Sequence, residues 1–484
     1  MVRQVICIIL CMITIQCSTK KEPLTVITSS LSGDRLSKQE DSFFTVDNAS
    51  DLPVIKVNED SIFQKIDGFG ATFNEAGMIC LNALPAEEKE NVLKSLFDPV
   101  NGSGFSLMKS PLGACDFASA GPWFSHNDTI GDTLMTNFSI ERDLGPDGQI
   151  TFIKSARKYG SFELETPMDF APDWMYVDLK KGDKTIRKEY YSALALYLSK
   201  FVKTYAENGI IIDYLPVFNE PGCYTTITLK EIGELLKNHV GPHFKAEGLT
   251  TKLQLGQTMQ RDEALRTFPP VLNDSTVAPW ISGPVTFHGY DYINFSDLTE
   301  LHKQLPGHQL WMTEICYAGS NCWPPGFNGL KALPKYEFSD GEFWGNMIVN
   351  DMKNWVSGWI YWNMILDQNG GPWLVSDEHG DPNPNIQHPV VIVNRETKRV
   401  DYTGLYYYLS HFSKFVRPGA YRIDCSGGSP SLNFVGFLNT DGSIILNIIN
   451  NEDDTDCKIL WNNKIAILRL KAHSITSIKW NISI

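Results

Sequence analysis

Between about Lys65 and Asn363, short apolar runs alternate with amphipathic helical stretches, and this pattern limits the fold more than any other feature. Strands separated by helices cannot join as tight hairpins; they pair in parallel through crossovers. Strand signals fall at 64–69, 105–110, 162–166, 210–218, 252–255, 285–288, 310–313 and 359–362. Helical signals fall between most of them. Pro85 opens one over 85–97, with Glu87 and Glu88 in its first turn. Leu194, Tyr197, Phe201 and Tyr205 recur at helical spacing over 190–205. Further helices are expected over 229–244 and 341–355, the latter opened by a capping box at Ser339 and Glu342. Eight such strands predict an α/β chain, a (β/α)8 TIM barrel over 65–401.

The pattern changes after Tyr402. Short strands at 421–425, 432–438, 443–449, 458–461 and 474–480, separated by Gly and Asn-Asp turns, predict a β-sandwich over 402–484. Residues 51–64, with a strand at 54–57, are expected to join it. At the other end, Met1-Val2-Arg3 precedes an apolar run over 5–15 and then Gln16-Cys17-Ser18. A basic start and an apolar run of that length predict a secretory signal over 1–17. The run is too short for a membrane span, which takes roughly 20 residues. Cys17 stands where a lipoprotein signal places its lipidated cysteine, so export with a lipid anchor in the outer membrane or periplasm of a bacterium is expected, or else simple secretion. The polar stretch 18–50 reads as a flexible tether.

A formal charge of -14 excludes charge-driven binding to nucleic acid or to an anionic membrane surface. Seven cysteines scattered beyond the signal make no disulfide framework, and no CxxC pair suggests a metal centre. Cys425 and Cys457 could pair or remain thiols. The segment 377–388 is rich in Asp, Asn, His and Pro but lacks regular ligand spacing, and it reads as a solvated loop. Neither a metal nor an organic cofactor is expected. The aromatic content suits sugars, whose C–H faces stack on rings, although most such rings belong to the core.

Two strands end in glutamate: Leu215-Pro216-Val217-Phe218-Asn219-Glu220-Pro221 and Leu310-Trp311-Met312-Thr313-Glu314. In a (β/α)8 barrel, residues at the C-terminal strand ends converge on the active site. Glycoside cleavage with retention needs two carboxyls about 5 to 5.5 Å apart, one a proton donor and one a nucleophile. Glu220 and Glu314 are therefore the expected catalytic pair. A lone glutamate after a strand is more often a helix cap or an ion-pair partner; two in matching positions are not.

From about Gln64 onward the chain resembles glycoside hydrolase family 30, the glucosylceramidase-like family within a large clan of barrel glycosidases. The resemblance rests on Asp67-Gly68-Phe69-Gly70-Ala71-Thr72, Ala114-Cys115-Asp116-Phe117, Asn219-Glu220-Pro221, His288-Gly289-Tyr290, Glu314, Gly358-Trp359-Ile360-Tyr361-Trp362-Asn363, Gly370-Gly371-Pro372 and Ser410-His411-Phe412-Ser413-Lys414-Phe415. It implies a retaining β-glycosidase with Glu220 as acid/base and Glu314 as nucleophile. It also implies a sugar site lined by Asp116, Asn219, His288, Tyr290, Trp174, Trp359, Trp362 and Asn363. The chain departs from the family pattern at Thr166-Pro167-Met168-Asp169, where Met168 replaces a tryptophan, although Pro172 and Trp174 fit the rest of that motif. The expected substrate is a β-glucoside, with a β-1,6-glucan next and a β-xyloside or β-fucoside after it. A glycan-binding lipoprotein without chemistry is the rival from another class. The loop 322–327 reads equally as an aglycone subsite or a stiff connector.

Overall fold

The computed structural model describes residues 22–46, 51–118, 123–317, 337–374, 379 and 383–482; the expected signal segment and the loop 322–327 lie outside these. Eight barrel strands run in chain order: β1 Gly68–Ala71, β2 Leu107–Lys109, β3 Glu163–Glu165, β4 Tyr214–Pro216, β5 Lys252–Gln254 (resuming as Gly256–Thr258), β6 Val285–His288, β7 Leu310–Glu314 and β8 Val356–Tyr361. Each pairs in parallel with the next from β2 to β8, and β8 pairs with β1. A bridge between Thr72 and Lys109 closes β1 onto β2. The predicted barrel is present, with ladders shorter than the apolar runs that announced them.

Both faces of these strands are buried, which is why they read as near-continuous apolar runs. Leu107, Tyr214, Trp311 and Ile360 form a cluster of their own inside the barrel, distinct from the core between strands and helices. Beneath it Asp67 accepts hydrogen bonds from Trp311 Nε1 and Ser357 Oγ, both at 2.7 Å, so it is a structural carboxylate at the barrel floor. Two glycines let strands approach where a side chain cannot fit. A Cβ on Gly70 would stand 2.0 Å from the Leu107 carbonyl oxygen, and one on Gly256, at φ +151°, 2.1 Å from that of Thr286.

The second layer is a closed β-sandwich, and it draws on more of the chain than the sequence pattern suggested. Strand Glu22–Ser30 pairs antiparallel with Ser474–Asn481, and Ser42–Val46 pairs with Lys464–Leu470. The expectation of a flexible tether over 18–50 is thus overturned for residues 22–46; the rest of that stretch lies outside the described residues. Leu24 and Val26 alternate with exposed Thr25, and with Phe44 they fill the sandwich core beside Trp461 and Trp480. That period of two was hidden by the polar residues around it. Strand Lys464–Leu470 also escaped the sequence reading. Cys425 and Cys457 are both free thiols.

The boundary between the two parts shifts as well. Residues 404–413 were expected in the sandwich, but helix Gly404–Ser413 packs on the barrel, with Phe412 against Phe69 at 5.7 Å between ring centroids. The sandwich resumes at Tyr421–Gly427. The capping box expected at Ser339 does not form: Ser339 is helical with no side-chain cap bond, and Glu342 Oε2 instead meets His473 Nδ1 at 2.9 Å. That contact ties the helix Asp340–Lys353 to the sandwich. No helix among the described residues is long and apolar enough to cross a membrane.

The seam between barrel and sandwich is polar at its centre. His411 is fully buried, with Nδ1 2.7 Å from Ser477 Oγ and Nε2 3.0 Å from Ser29 Oγ. Burial pushes its pKa down to about 3, and does the same to His388. Both stay neutral in the folded chain, whereas the unfolded chain takes up protons below about pH 6.5. Their contribution is full above that value and is lost as pH falls, at about 1.4 kcal/mol per pH unit for each histidine. Urea unfolding at about pH 7 and pH 5 is expected to show this acid loss, with His411→Gln reducing the slope by one proton. An unchanged slope would contradict the assignment. Gly70→Ala is expected to cost about 3 kcal/mol or more, read as a lower unfolding midpoint.

Candidate functional site

Beyond Pro216 the chain leaves β4 and carries Asn219 and Glu220 over the barrel mouth. Glu220 has φ +42°, a left-handed conformation that a residue with a side chain rarely adopts and that concentrates at functional sites. Across the mouth, the pairing of β6 with β7 slips by one residue, so that Phe287 faces Met312 and His288 faces Glu314. This slip turns the last residue of β7 towards the mouth after Trp311 has faced the interior. Glu220 and Glu314 are 6% and 5% exposed, so both carboxyls are almost wholly withdrawn from water.

One ammonium organises them. Lys109, the last residue of β2, donates to Glu314 Oε2 at 2.7 Å, to Gln257 Oε1 at 2.9 Å and to Asn219 Oδ1 at 3.0 Å. Tyr290 donates its hydroxyl to the other Glu314 oxygen at 2.8 Å. Burial opposes ionisation of Glu314, but Lys109 and then His288 and the Tyr290 hydroxyl outweigh it and hold the carboxyl below its usual range. Glu220 has a different partner, with Oε1 2.9 Å from His288 Nδ1, while His288 Nε2 lies 3.0 Å from Gln257 Oε1. An ammonium can only donate, so the atom it meets on Gln257 is the amide oxygen. His288 Nε2 must then carry a hydrogen, which leaves Nδ1 and Glu220 to share one proton between them.

Glu220, His288 and Glu314 bring one ligand-type atom each within 4.8 Å of the others, the one such cluster among the described residues. As a metal site it is poorly suited, because His288 Nδ1 already faces Glu220 and a lysine ammonium stands 2.7 Å from Glu314. The arrangement suits proton transfer and nucleophilic attack instead.

Of the residues expected at the site, Asn219, His288 and Tyr290 touch this network directly, and the ring of Trp362 lies 5.6 Å from Lys109 Nζ. Asp116 is buried on the same mouth, and after burial itself it and both glutamates push up the pKa of Asp169. Three expectations fail. Trp359 faces outward, donating its indole N–H to Asp351 at 3.0 Å, and Asp351 pairs with the buried Arg261. Strand residues alternate, so Ile360 inside the barrel places Trp359 among the helices. Trp174 donates to the Asn127 carbonyl at 2.9 Å and lines a separate cavity of about 560 Å³ with Trp123, Asp173 and Arg187. Asn363 is fully buried and bonds Asn74 and Gln387, within a chain of amides that continues through Asn385 to Asp116. That chain also corrects the reading of 377–388 as a solvated loop over its described end, where Asn385, Gln387 and His388 are all buried; 377, 378 and 380–382 lie outside the described residues.

The sequence reading missed Lys109, Gln257, Glu165 and Asp169. Lys109 had a signal, a lone charge inside the apolar run Phe105-Ser106-Leu107-Met108-Lys109. A buried, unexplained lysine at a barrel strand end marks a site. Met168 is fully buried, and its carbonyl accepts the Asn219 N–H at 2.8 Å.

Residues 66–416 match the family model described as the glycosyl hydrolase family 30 TIM-barrel domain, and 419–478 match that family's beta sandwich domain. The lysosomal acid glucosylceramidase of Mus musculus is 25% identical over 81% of this chain and 76% of its own length. An endo-1,6-beta-D-glucanase of Neurospora crassa is 26% identical over 80% and 79%. Among solved structures, SrfJ from Salmonella typhimurium superposes with a TM-score of 0.83 at 21% identity, covering 95% of this chain and 99% of that one.

The Lys109 contacts yield a stability test. A carboxylate whose folded pKa is depressed adds stability above its unfolded pKa, and the gain is lost as pH falls. Lys109→Met leaves Glu314 buried without its counter-charge, which is expected to cost about 3–5 kcal/mol at neutral pH. Carboxyl carbon-13 titration should also show Glu314 taking up its proton at higher pH than in the native chain. A variant as stable as the native chain, with that titration unmoved, would remove Lys109 from this role.

Proposed function

This chain belongs to glycosyl hydrolase family 30, and from that premise we propose that it hydrolyses a β-glucosidic bond with retention of configuration. The observation that carries the reading is the closeness of the two carboxyls, with an oxygen of Glu220 and one of Glu314 within 4.8 Å of each other. That separation suits a double displacement, which needs about 5–5.5 Å, and leaves no room for the attacking water that inversion requires at roughly 6.5–9.5 Å.

The environments of the two carboxyls support the roles. Glu314, held anionic by Lys109 and Tyr290, attacks the anomeric carbon. Glu220, sharing a proton with His288, donates that proton to the departing glycosidic oxygen. The product of this half-reaction is a glycosyl ester on Glu314 and a carboxylate on Glu220. In the second half, Glu220 takes a proton from water, the water oxygen bonds the anomeric carbon, and the ester bond breaks back to the Glu314 carboxylate. Asn219, fixed by Lys109 through its side-chain oxygen, presents its amide N–H₂ to a sugar hydroxyl beside the reacting carbon. Asp116 and Trp362 line the rest of the sugar site.

Similarity to the Neurospora crassa endo-1,6-beta-D-glucanase supports β-1,6-glucan as the polymeric substrate, and similarity to the mouse glucosylceramidase supports a glucoside at the cleaved position. The basic start and apolar run at the N-terminus support export to where such glycans are met.

Release from an aryl β-glucoside, β-1,6-glucan and glucosylceramide, with the first-formed anomer read by NMR, tests substrate and stereochemistry together. An α-configured first product would end the retaining mechanism. The two glutamates are separated by azide. Glu314→Gly admits azide on the face opposite the leaving group and is expected to give the α-glycosyl azide. Glu220→Gly, given a substrate with a good leaving group, is expected to accumulate the glycosyl-enzyme and release the β-glycosyl azide. The same anomer from both variants would overturn the roles assigned here.

A further inference from the structure

One carboxyl at the floor of the site has no part in the mechanism above. Glu165, the last residue of β3, lies level with Lys109 of β2 and with Tyr214 of β4 in the strand register. Leu164 before it packs in the core between strands and helices. Glu163 accepts the hydroxyl of Tyr214, which belongs to the interior cluster. Alternation along β3 therefore points Glu165 into the barrel, beneath the catalytic pair. It is fully buried, and neither carboxyl oxygen has a hydrogen-bond partner among the described residues. Gln257 Nε2, on the amide that receives Lys109, is likewise unpartnered, and that amide faces the Glu165 carboxyl closely enough to favour its ionised form.

The groups around Glu165 can be named strand by strand. β2 supplies Lys109, β4 the neutral Tyr214, and β5 Gln257. β6 supplies His288, which reaches the group through Gln257, and β7 supplies Glu314. Above them, Asp169 faces Asp116, Lys109, Glu314 and Glu220. Burial pushes the Glu165 carboxyl up to about 7; Lys109 and Gln257 pull it down and Glu314 adds to the rise.

We propose that Glu165 is a positioning residue for the nucleophile: level with Lys109 in the strand register but outside its hydrogen bonds, it acts through space on the ammonium that holds Glu314, and its protonation decides how strongly that charge favours the Glu314 carboxylate. The proposal rests on reading Glu314 as the nucleophile. With Glu165 neutral, Glu314 is the one carboxylate beside the ammonium, which stabilises the anion released when water displaces the glycosyl ester. With Glu165 ionised, a second negative charge lies beneath the pair and offsets part of the ammonium's field, so Glu314 becomes more basic and departs less readily from the anomeric carbon. Hydrolysis of the glycosyl-enzyme thus slows as pH rises through the Glu165 transition, while attack on the substrate is not weakened.

Two measurements on the full chain test this. In the unliganded protein, carbon-13 carboxyl titration should show a carboxyl ionising near neutrality that is lost in Glu165→Gln and replaced by an aspartate carboxyl ionising in the same range in Glu165→Asp. The Glu314 signal should move through the same transition. With an activated aryl β-glucoside, whose turnover is limited by hydrolysis of the glycosyl-enzyme, native kcat is expected to fall roughly three- to tenfold between about pH 6 and pH 8, with kcat/KM spared. Glu165→Gln should abolish that fall and Glu165→Asp restore it. No carboxyl titrating near neutrality in the native chain, or a Glu314 signal indifferent to Glu165, would overturn the proposal even if no variant folds. Absence of any glycoside turnover by the folded native chain would sink the functional reading alone, because the titration judges Glu165 without substrate.

Discussion

The mouth of this barrel depends on one buried ammonium. Lys109 is 1% exposed, and a charge so far from water persists only if every donor finds an acceptor. Its three acceptors come from three different parts of the barrel: the segment after β4, the end of β5 and the end of β7. Satisfying the cation therefore draws those strand ends together, and the same contacts bring Asn219, Gln257 and Glu314 to one point. Only Glu314 among the three carries a full negative charge, so the strongest attraction falls on the group that must stay ionised. Gln257 then relays the constraint to His288, and His288 to Glu220.

Above and below this layer the chemistry differs. The barrel floor is closed by Leu107, Tyr214, Trp311 and Ile360 over the carboxylate of Asp67, a plug that excludes water from beneath. Around the rim, side-chain amides link the cap of the helix Glu75–Asn82 through Asn74, Asn363, Gln387 and Asn385 to Asp116. Loops carrying such residues are held by bonds that leave little freedom of angle, which suits a site that must meet a sugar in one orientation.

The parts legible in the sequence were those with a local signature. Parallel strands buried on both faces announce themselves as apolar runs, and a glutamate at the end of such a run stands out because nothing apolar explains it. Lys109 carried the same signature two strands before Glu220 and was read as part of the strand. Trp359 was placed in the sugar site because it shares a motif with Trp362, yet strand alternation separates the two by facing; counting from Ile360 would have corrected it. Asn363 looked like a ligand group and is consumed by two neighbouring amides, a fact that only the meeting of distant loops reveals. The strands near the N-terminus were missed for a related reason. Leu24, Val26 and Phe44 make a faint alternation, and its partner strands lie at the far end of the chain.

That last pairing sets an order in time. Thr28 and Thr476 bond across adjacent strands although they stand 448 residues apart. A ribosome adding roughly 5–20 residues per second finishes the second partner on the order of half a minute or more after the first. Until then the strand Glu22–Ser30 has an edge with nothing to pair with, and such edges recruit other chains. The barrel can close meanwhile, since its strands all lie between the two. The sandwich is therefore assembled after the barrel, and it seals an early strand against one made hundreds of residues later.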